Sequence, residues 1–320
     1  MRVRFGFVAM SLDLPQESPS RTTTLARLRQ GPHKLAMRRL TQLAAQNLES
    51  TLRIVRHAIT QGIPLYRFSS RLIPFLGHPE SDDWDFFRYL ATDLGLVGGV
   101  VRDAGMRVSF HPEHAAVVLS ADRTTVQAAA QRSLLDHARI CDLMGLPEAN
   151  LVVHMGGGYG DKPAAAQRFR EAVAALPPAV RDRIALENDD RTFTVRDVLD
   201  AAQASGIPAV LDLLHHRCNP CEGSLSDLLA QVFSTWSNQA QPPKLHLSSA
   251  RDARAPRAHA DLVTPEDALT LLEAAREHGR DIDVMVEAKA KDHAVLRLVD
   301  DLCKVPGVQR VGGGTIRYRP

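Results

Sequence analysis

Eight short runs rich in β-branched residues recur along this chain, with stretches of helical apolar period between them. The runs are Val3–Val8, Pro64–Phe68, Arg107–His111, Leu151–His154, Ile184–Glu187, Ala209–Asp212, Lys244–Leu247 and Asp283–Glu287. Helical spacing of apolar residues marks Lys34–Gln61, Trp84–Ala104, Thr124–Met144, Thr194–Ala204, Pro265–His278 and Ala294–Val305. Strands alternating with helices predict βα units and a parallel sheet. Eight such units are the count of a TIM barrel, so the expected fold is α/β, a (β/α)8 barrel. No low-complexity linker or break in composition divides the chain, and residues 1–320 are expected to form a single domain.

A chain of 320 residues, 44% of them hydrophobic, can bury most of its apolar surface without disulfide or metal staples. Any metal it holds would therefore serve chemistry more than folding. The cysteines are Cys141, Cys218, Cys221 and Cys303, and only Cys218 and Cys221 have a CxxC spacing. No second pair completes a zinc knuckle, so plain thiols in a reducing compartment are expected. The opening MRVRFGFVAMSL is too briefly apolar for a secretory signal. No window reaches the roughly 18 uninterrupted apolar residues of a membrane helix. A soluble, cytoplasmic protein without a membrane partner is the expectation.

The formal charge of +2 conceals a basic stripe of Arg21, Arg27, Arg29, Lys34, Arg38, Arg39, Arg53 and Arg56 against the single acid Glu49. Such a stripe is either a solvated helix face or a surface that neutralises the phosphates of a polyanion.

Chemistry gathers where the strands end. The third ends at His111, the fourth at His154 and the fifth at Glu187. The sixth ends at Asp212 with His215 one turn on, the seventh carries His246, His259 lies in the next loop, and the eighth ends at Glu287. In a parallel barrel all these ends converge on one mouth. Long polar loops, Ser11–Pro32, Asn219–Gly223 and Ser248–His259, follow the first, sixth and seventh strands. Three carboxylates sharing a small space repel one another unless cations neutralise them. With imidazoles they make the ligand set of zinc, manganese or iron, enough for two or three ions with one carboxylate bridging. A multi-metal centre activates a water and stabilises both the attacking and leaving oxygens of a phosphodiester.

Other features carry plainer readings. His154–Gly160, HMGGGYG, lacks the Lys-Ser/Thr of a phosphate loop and reads as a turn or a close backbone approach to ligand. Gly312–Gly314 reads as a turn before a short basic tail. His33, His57, His78, His137, His278 and His293 read as surface residues, and His216 as pointing away from its neighbour His215.

The segments FGFVAMSL, YRFSSRLIPFLGHP, VSFHP, HMGGGYGDK, ALENDDRTFT, VLDLLHHRCNP, PKLHLSS, HAD and VMVEAKAKD together resemble the UV damage endonucleases. The similarity runs nearly end to end. It implies a TIM barrel related to the type IV apurinic endonucleases, holding divalent metals usually assigned as manganese, with zinc also compatible. It also implies a double-stranded DNA substrate carrying lesions, cut 5′ of cyclobutane dimers and (6-4) photoproducts. For residues, the resemblance implies metal ligands at His111, His154, Glu187, Asp212, His215, His246, His259 and Glu287, the set already selected by the strand ends. Glu187 would bridge, Lys244 would match a lysine that can be carboxylated, and Glu187, Lys244 and Glu287 would be catalytic. Lys289 would neutralise Glu287 or a phosphate. Phe7, Ser11, Arg71, His114, Tyr159 and Lys289 would face DNA. A monomer acting in the bacterial cytoplasm, at the nucleoid, is the accompanying expectation.

The departures fall on the DNA-reading side. Arg71 stands where some members carry a further histidine ligand, and His114 and Ala115 stand where many carry glutamine and an aromatic residue. Ala115 cannot fill the space that flipped bases leave. Other readings of the same donors are a type IV-like apurinic endonuclease, a barrel sugar isomerase or epimerase with two metals and no use for the basic stripe, and a non-catalytic DNA-binding relic.

Overall fold

The computed structural model describes residues 1–113 and 119–319. Strand β1 (Arg2–Val8) is the seam of a closed sheet. Its Val3–Gly6 stretch runs parallel to β8 (Ile282–Val286) on one side, and Gly6–Val8 runs parallel to β2 (Leu65–Arg67) on the other. The circle continues in parallel through β3 (Arg107–Phe110), β4 (Asn150–His154), β5 (Ile184–Glu187), β6 (Ala209–Asp212) and β7 (Lys244–Leu247) back to β8. The strands are buried along almost their whole length, which is why they read as near-continuous apolar runs. This is the predicted eight-stranded TIM barrel.

A long helix follows every strand: His33–Thr60, Phe86–Asp103, Thr124–Met144, Lys162–Ala174, Val195–Ser205, Leu225–Thr235, Pro265–Arg276 and Lys291–Leu302. Six match the predicted stretches, Thr124–Met144 at both ends and the other five with shifted ends. Lys162–Ala174 and Leu225–Thr235 were not among them. The first buries only Ala165, Phe169, Ala172 and Val173, a stripe that is half alanine and has little apolar contrast. The second, 11 residues long, buries Leu228, Leu229, Val232 and Phe233. No helix among the described residues is long and apolar enough to cross a membrane.

Two expectations about loops are corrected. Gly312–Gly314 is not followed by a free tail: Val308–Gly312 and Thr315–Tyr318 form a hairpin whose second strand pairs antiparallel with β1. Val3 thus pairs with Ile282 on one edge and Ile316 on the other. A Cβ on Gly313 would lie 1.7 Å from the Gln61 carbonyl, so only glycine lets this turn press against the end of the first long helix. The loop Ser248–His259 likewise contains a two-stranded hairpin, Ala250–Asp252 with Ala255–His259. Asp252 Oδ1 closes its turn by accepting from the Arg254 and Ala255 amides.

His137 is not a surface residue. It is 3% exposed, edge-on to Phe110 with ring centroids 5.3 Å apart, and its Nδ1–H donates to the Ser133 carbonyl at 2.7 Å. Burial pushes its pKa down to about 4. Below the ordinary histidine range the unfolded chain takes up a proton that the folded chain refuses, so stability falls as pH drops from about 6.5 to about 4. His137→Met should flatten that slope, worth on the order of 3 kcal/mol at its lower end. Chemical denaturation across this pH range would measure it, and an unchanged slope would show that His137 is protonated in the fold.

Candidate metal centre

The ends of β3 to β8 bring their polar side chains together around Glu187, the last residue of β5, which is 1% exposed. Its two oxygens face different neighbours. Oε2 lies 3.1 Å from His111 Nε2 and 3.6 Å from His154 Nε2. Oε1 lies 2.8 Å from His246 Nδ1 and 3.5 Å from His215 Nδ1. Glu287, just beyond β8, places Oε1 3.1 Å from His246 Nδ1 and Oε2 3.8 Å from His259 Nδ1. Strand register explains the convergence: His154 lies beside Glu187, and Asp212 beside His246.

Two donor sets result, each with ligand atoms within 4.8 Å of one another. One is His111, His154 and Glu187; the other is Glu187, Asp212, His246 and Glu287. Asp212 Oδ2 is buried with no hydrogen-bond partner among the described residues. Such an atom costs about 1–3 kcal/mol unless something compensates it, and a cation would. Imidazole mixed with carboxylate suits manganese or zinc. The residues present therefore fit a pair of divalent ions sharing Glu187. His215 and His259 stand at the rim, ring centroids 6.5 Å apart, and His215 Nδ1 lies 3.0 Å from the Asn188 carbonyl. That contact orients the His215 ring and leaves Nε2 as its other donor.

Without a cation, protons balance the charge. Burial opposes ionisation of Glu187, but the His246 and His154 charges, with hydrogen bonds from His111 and His246, hold its carboxyl well below the usual range. Burial also works against an imidazolium at His246 and His215, yet the surrounding carboxylates outweigh it and push both pKa values up to about 9. Asp212 moves the other way, raised by burial.

Three contributors, Arg67, Asn188 and Asp189, were invisible in the sequence. Arg67, at the end of β2, donates to Glu287 Oε1 at 2.6 Å, so Arg67 rather than the exposed Lys289 neutralises Glu287. Asn188 clamps β5 to β6, donating to the Asp212 carbonyl and accepting from its amide at 2.8 Å. Asp189 accepts from the amides of Arg191, Thr192 and Phe193 and so shapes the next loop. Lys244 points inward on the same side as His246 and is 1% exposed. Burial, then the charge of Arg107, holds its pKa well below the ordinary lysine value.

Comparison with known proteins fits this geometry. The family model described as UV-endonuclease UvdE matches residues 3–319. This chain belongs to the UV damage endonuclease family. A UV DNA damage endonuclease of Bacillus pumilus (strain SAFR-032) is 40% identical over 322 residues, covering 100% of both chains. The crystal structure of SacUVDE superimposes with a TM-score of 0.83 at 28% identity, covering 94% of this chain and 98% of that one. Endonuclease IV from Thermus thermophilus, at 15% identity and a TM-score of 0.54 over 94% of this chain and 99% of its own, shares the fold. Membership makes the chain a DNA repair endonuclease with DNA as substrate.

Against that family, the expected DNA contacts divide. Phe7 is fully buried, edge-to-face with Tyr66 at 5.4 Å, and the Ser11 hydroxyl is buried and donates to Asp292. Neither reaches solvent, and both expectations are corrected: each helps hold β1 and its loop. Arg71 is exposed but ion-paired with Glu113, and His114 lies outside the described residues. Tyr159 stands 47% exposed beyond β4 in a left-handed backbone, φ 50°, that costs about 1–2 kcal/mol. The basic stripe is partly spent, because Arg21 binds Ser50 and the Gln16 carbonyl, Arg29 binds Glu80, and Arg53 binds Glu17.

Metal uptake by this endonuclease should release protons, because a raised pKa leaves His215 and His246 protonated at pH 7.5 and only a neutral imidazole binds a cation. Apparent affinity should strengthen as pH rises toward 9. Calorimetric titration with manganese in two buffers of different ionisation enthalpy would read the release, and equal heats in both would refute it.

Proposed function

We propose that this chain incises the phosphodiester immediately 5′ of cyclobutane pyrimidine dimers and (6-4) photoproducts, leaving a 3′-hydroxyl and a 5′-phosphate. The observation that carries the reading is the division of the Glu187 oxygens between two donor sets at the barrel mouth. His111 and His154 would hold one divalent ion with Glu187, and Asp212, His246 and Glu287 a second. His215 and His259 would be donors for a third. Manganese is the first choice and zinc the second. Bound there, divalent cations would polarise the phosphodiester and make water a stronger nucleophile.

The protein's own groups do the rest. Glu187 keeps the two sites in register, and Arg67 fixes the Glu287 oxygen that faces His246. The neutral amine of Lys244 is the form that takes up carbon dioxide, so carboxylation of this lysine belongs to the same reading. Extrusion of the damaged step into the mouth costs less than extrusion of an intact one. The hairpin Ala250–His259 stands on the mouth side of β7 and exposes Arg251 and Arg254, while Arg257 leans on Asp190. With Lys289 and Tyr159 it supplies the phosphate and base contacts. The endonuclease would act as a monomeric single domain in the cytoplasm, at the nucleoid.

Nicking of labelled duplexes carrying a thymine dimer or an abasic site, with manganese, tests the reading. A cut directly 5′ of the dimer is expected, and Glu187→Gln should slow it by about 100-fold or more. Cleavage of the abasic duplex alone would move the activity to the apurinic class. Failure on both duplexes with metal bound would end the nuclease reading. Arg251→Ala and Arg254→Ala should each weaken DNA binding regardless of sequence and lower the salt slope by about one. Binding isotherms over a range of salt would show this, and unchanged slopes would place the DNA elsewhere.

A further inference from the structure

Outside the donor sets around Glu187, Asp13, His57, Asp292 and His293 form a second group of metal-type donors that the endonuclease reading does not use. Asp13 lies in the loop leaving β1, His57 on the last turn of the helix His33–Thr60, and Asp292 and His293 on the first turn of the helix Lys291–Leu302. His57 Nε2 lies 3.0 Å from Asp13 Oδ2 and 3.7 Å from Asp292 Oδ2, and His293 Nε2 lies 2.6 Å from Asp13 Oδ1. Asp13, His57 and Asp292 each present a ligand atom within 4.8 Å of the others.

We propose that Asp13, His57 and Asp292 are a second divalent-cation site, of the kind zinc occupies with water as its fourth donor, and that His293 holds the other Asp13 oxygen; the site staples the loop leaving β1 to the two helices beside it. Zinc takes four nitrogen and oxygen donors at about 2.0–2.2 Å, which separates neighbouring donors by roughly 3.3 Å. The two His57 distances bracket that separation. The charge also balances, since two carboxylates with two neutral imidazoles carry the −2 that a dication cancels. No lysine or arginine pairs with either carboxylate among the described residues. Asp292 is fully buried and oriented by hydrogen bonds from the Ser11 hydroxyl and, at 2.9 Å, the Leu12 amide. The Ser11 hydroxyl shares the oxygen that faces His57, and hydrogen bonds of this kind are how a ligating carboxylate is held for a metal. Asp13 and His293 stay open to solvent, so an ion can enter.

The test strips the full-length protein with a chelator, reloads it with zinc or cobalt, and counts bound metal by mass spectrometry. The double variant His57→Ala/His293→Ala should bind one equivalent fewer than wild type and keep its nicking activity. Glu187→Gln should keep that equivalent, and cobalt there should show the intense visible absorption of four-coordinate geometry. Equal metal content in wild type and double variant would overturn the proposal and leave the two histidines as ion-pair partners of Asp13 only. Should the double variant fail to fold, His293→Gln, at a half-exposed position, should weaken the last equivalent by at least tenfold in a zinc titration, and an unchanged titration would equally overturn it.

Discussion

The carboxylate of Glu187 sets the terms for everything around it. It is buried at the end of β5, and both of its oxygens are faced by imidazoles from β3, β4, β7 and the turn after β6. A buried anion is tolerable only when positive charge stands close on more than one side. The barrel provides that by delivering each neighbouring strand end to the same level, so strand register and site chemistry are one constraint. Asn188 serves it by locking β5 to β6, and Arg67 serves it by steadying Glu287.

The same arrangement explains what was legible in the sequence. Buried parallel strands are apolar on both faces, so their runs stand out, and a histidine or carboxylate at the end of such a run is conspicuous. His111, His154, Glu187, Asp212 and Glu287, which the structure brings together, all stand out in this way. Arg67 was not, because an arginine beside a short strand looks like any surface cation until its partner across the barrel is known. Within the motif LENDD, position alone does not separate the roles: Glu187 belongs to the donor sets, Asn188 clamps strands and Asp189 shapes a loop.

The local pattern is silent about distant partners. His137 sits on an amphipathic helix, but the ring of Phe110 turned it into a core residue. Phe7 and Ser11 were expected at the DNA by resemblance, yet one packs on Tyr66 and the other is claimed by Asp292, 281 residues away. The Arg21–Arg56 stripe looked uncompensated because its acids, Glu17 and Glu80, lie outside that window. The terminal hairpin was missed because its partner is the very first strand.

That last pairing bears on how the molecule is made. Strand β1 is made before the other strands of the barrel, yet its partners include residues 282–286 and 315–318. At roughly 5–20 residues per second, β1 waits for a time on the order of half a minute before those segments exist. Throughout that interval β2 can pair with Gly6–Val8, but the edge that will meet residues 282–286 stays open, the kind of template on which chains aggregate. The barrel therefore cannot close on β1 until nearly all the rest has been translated.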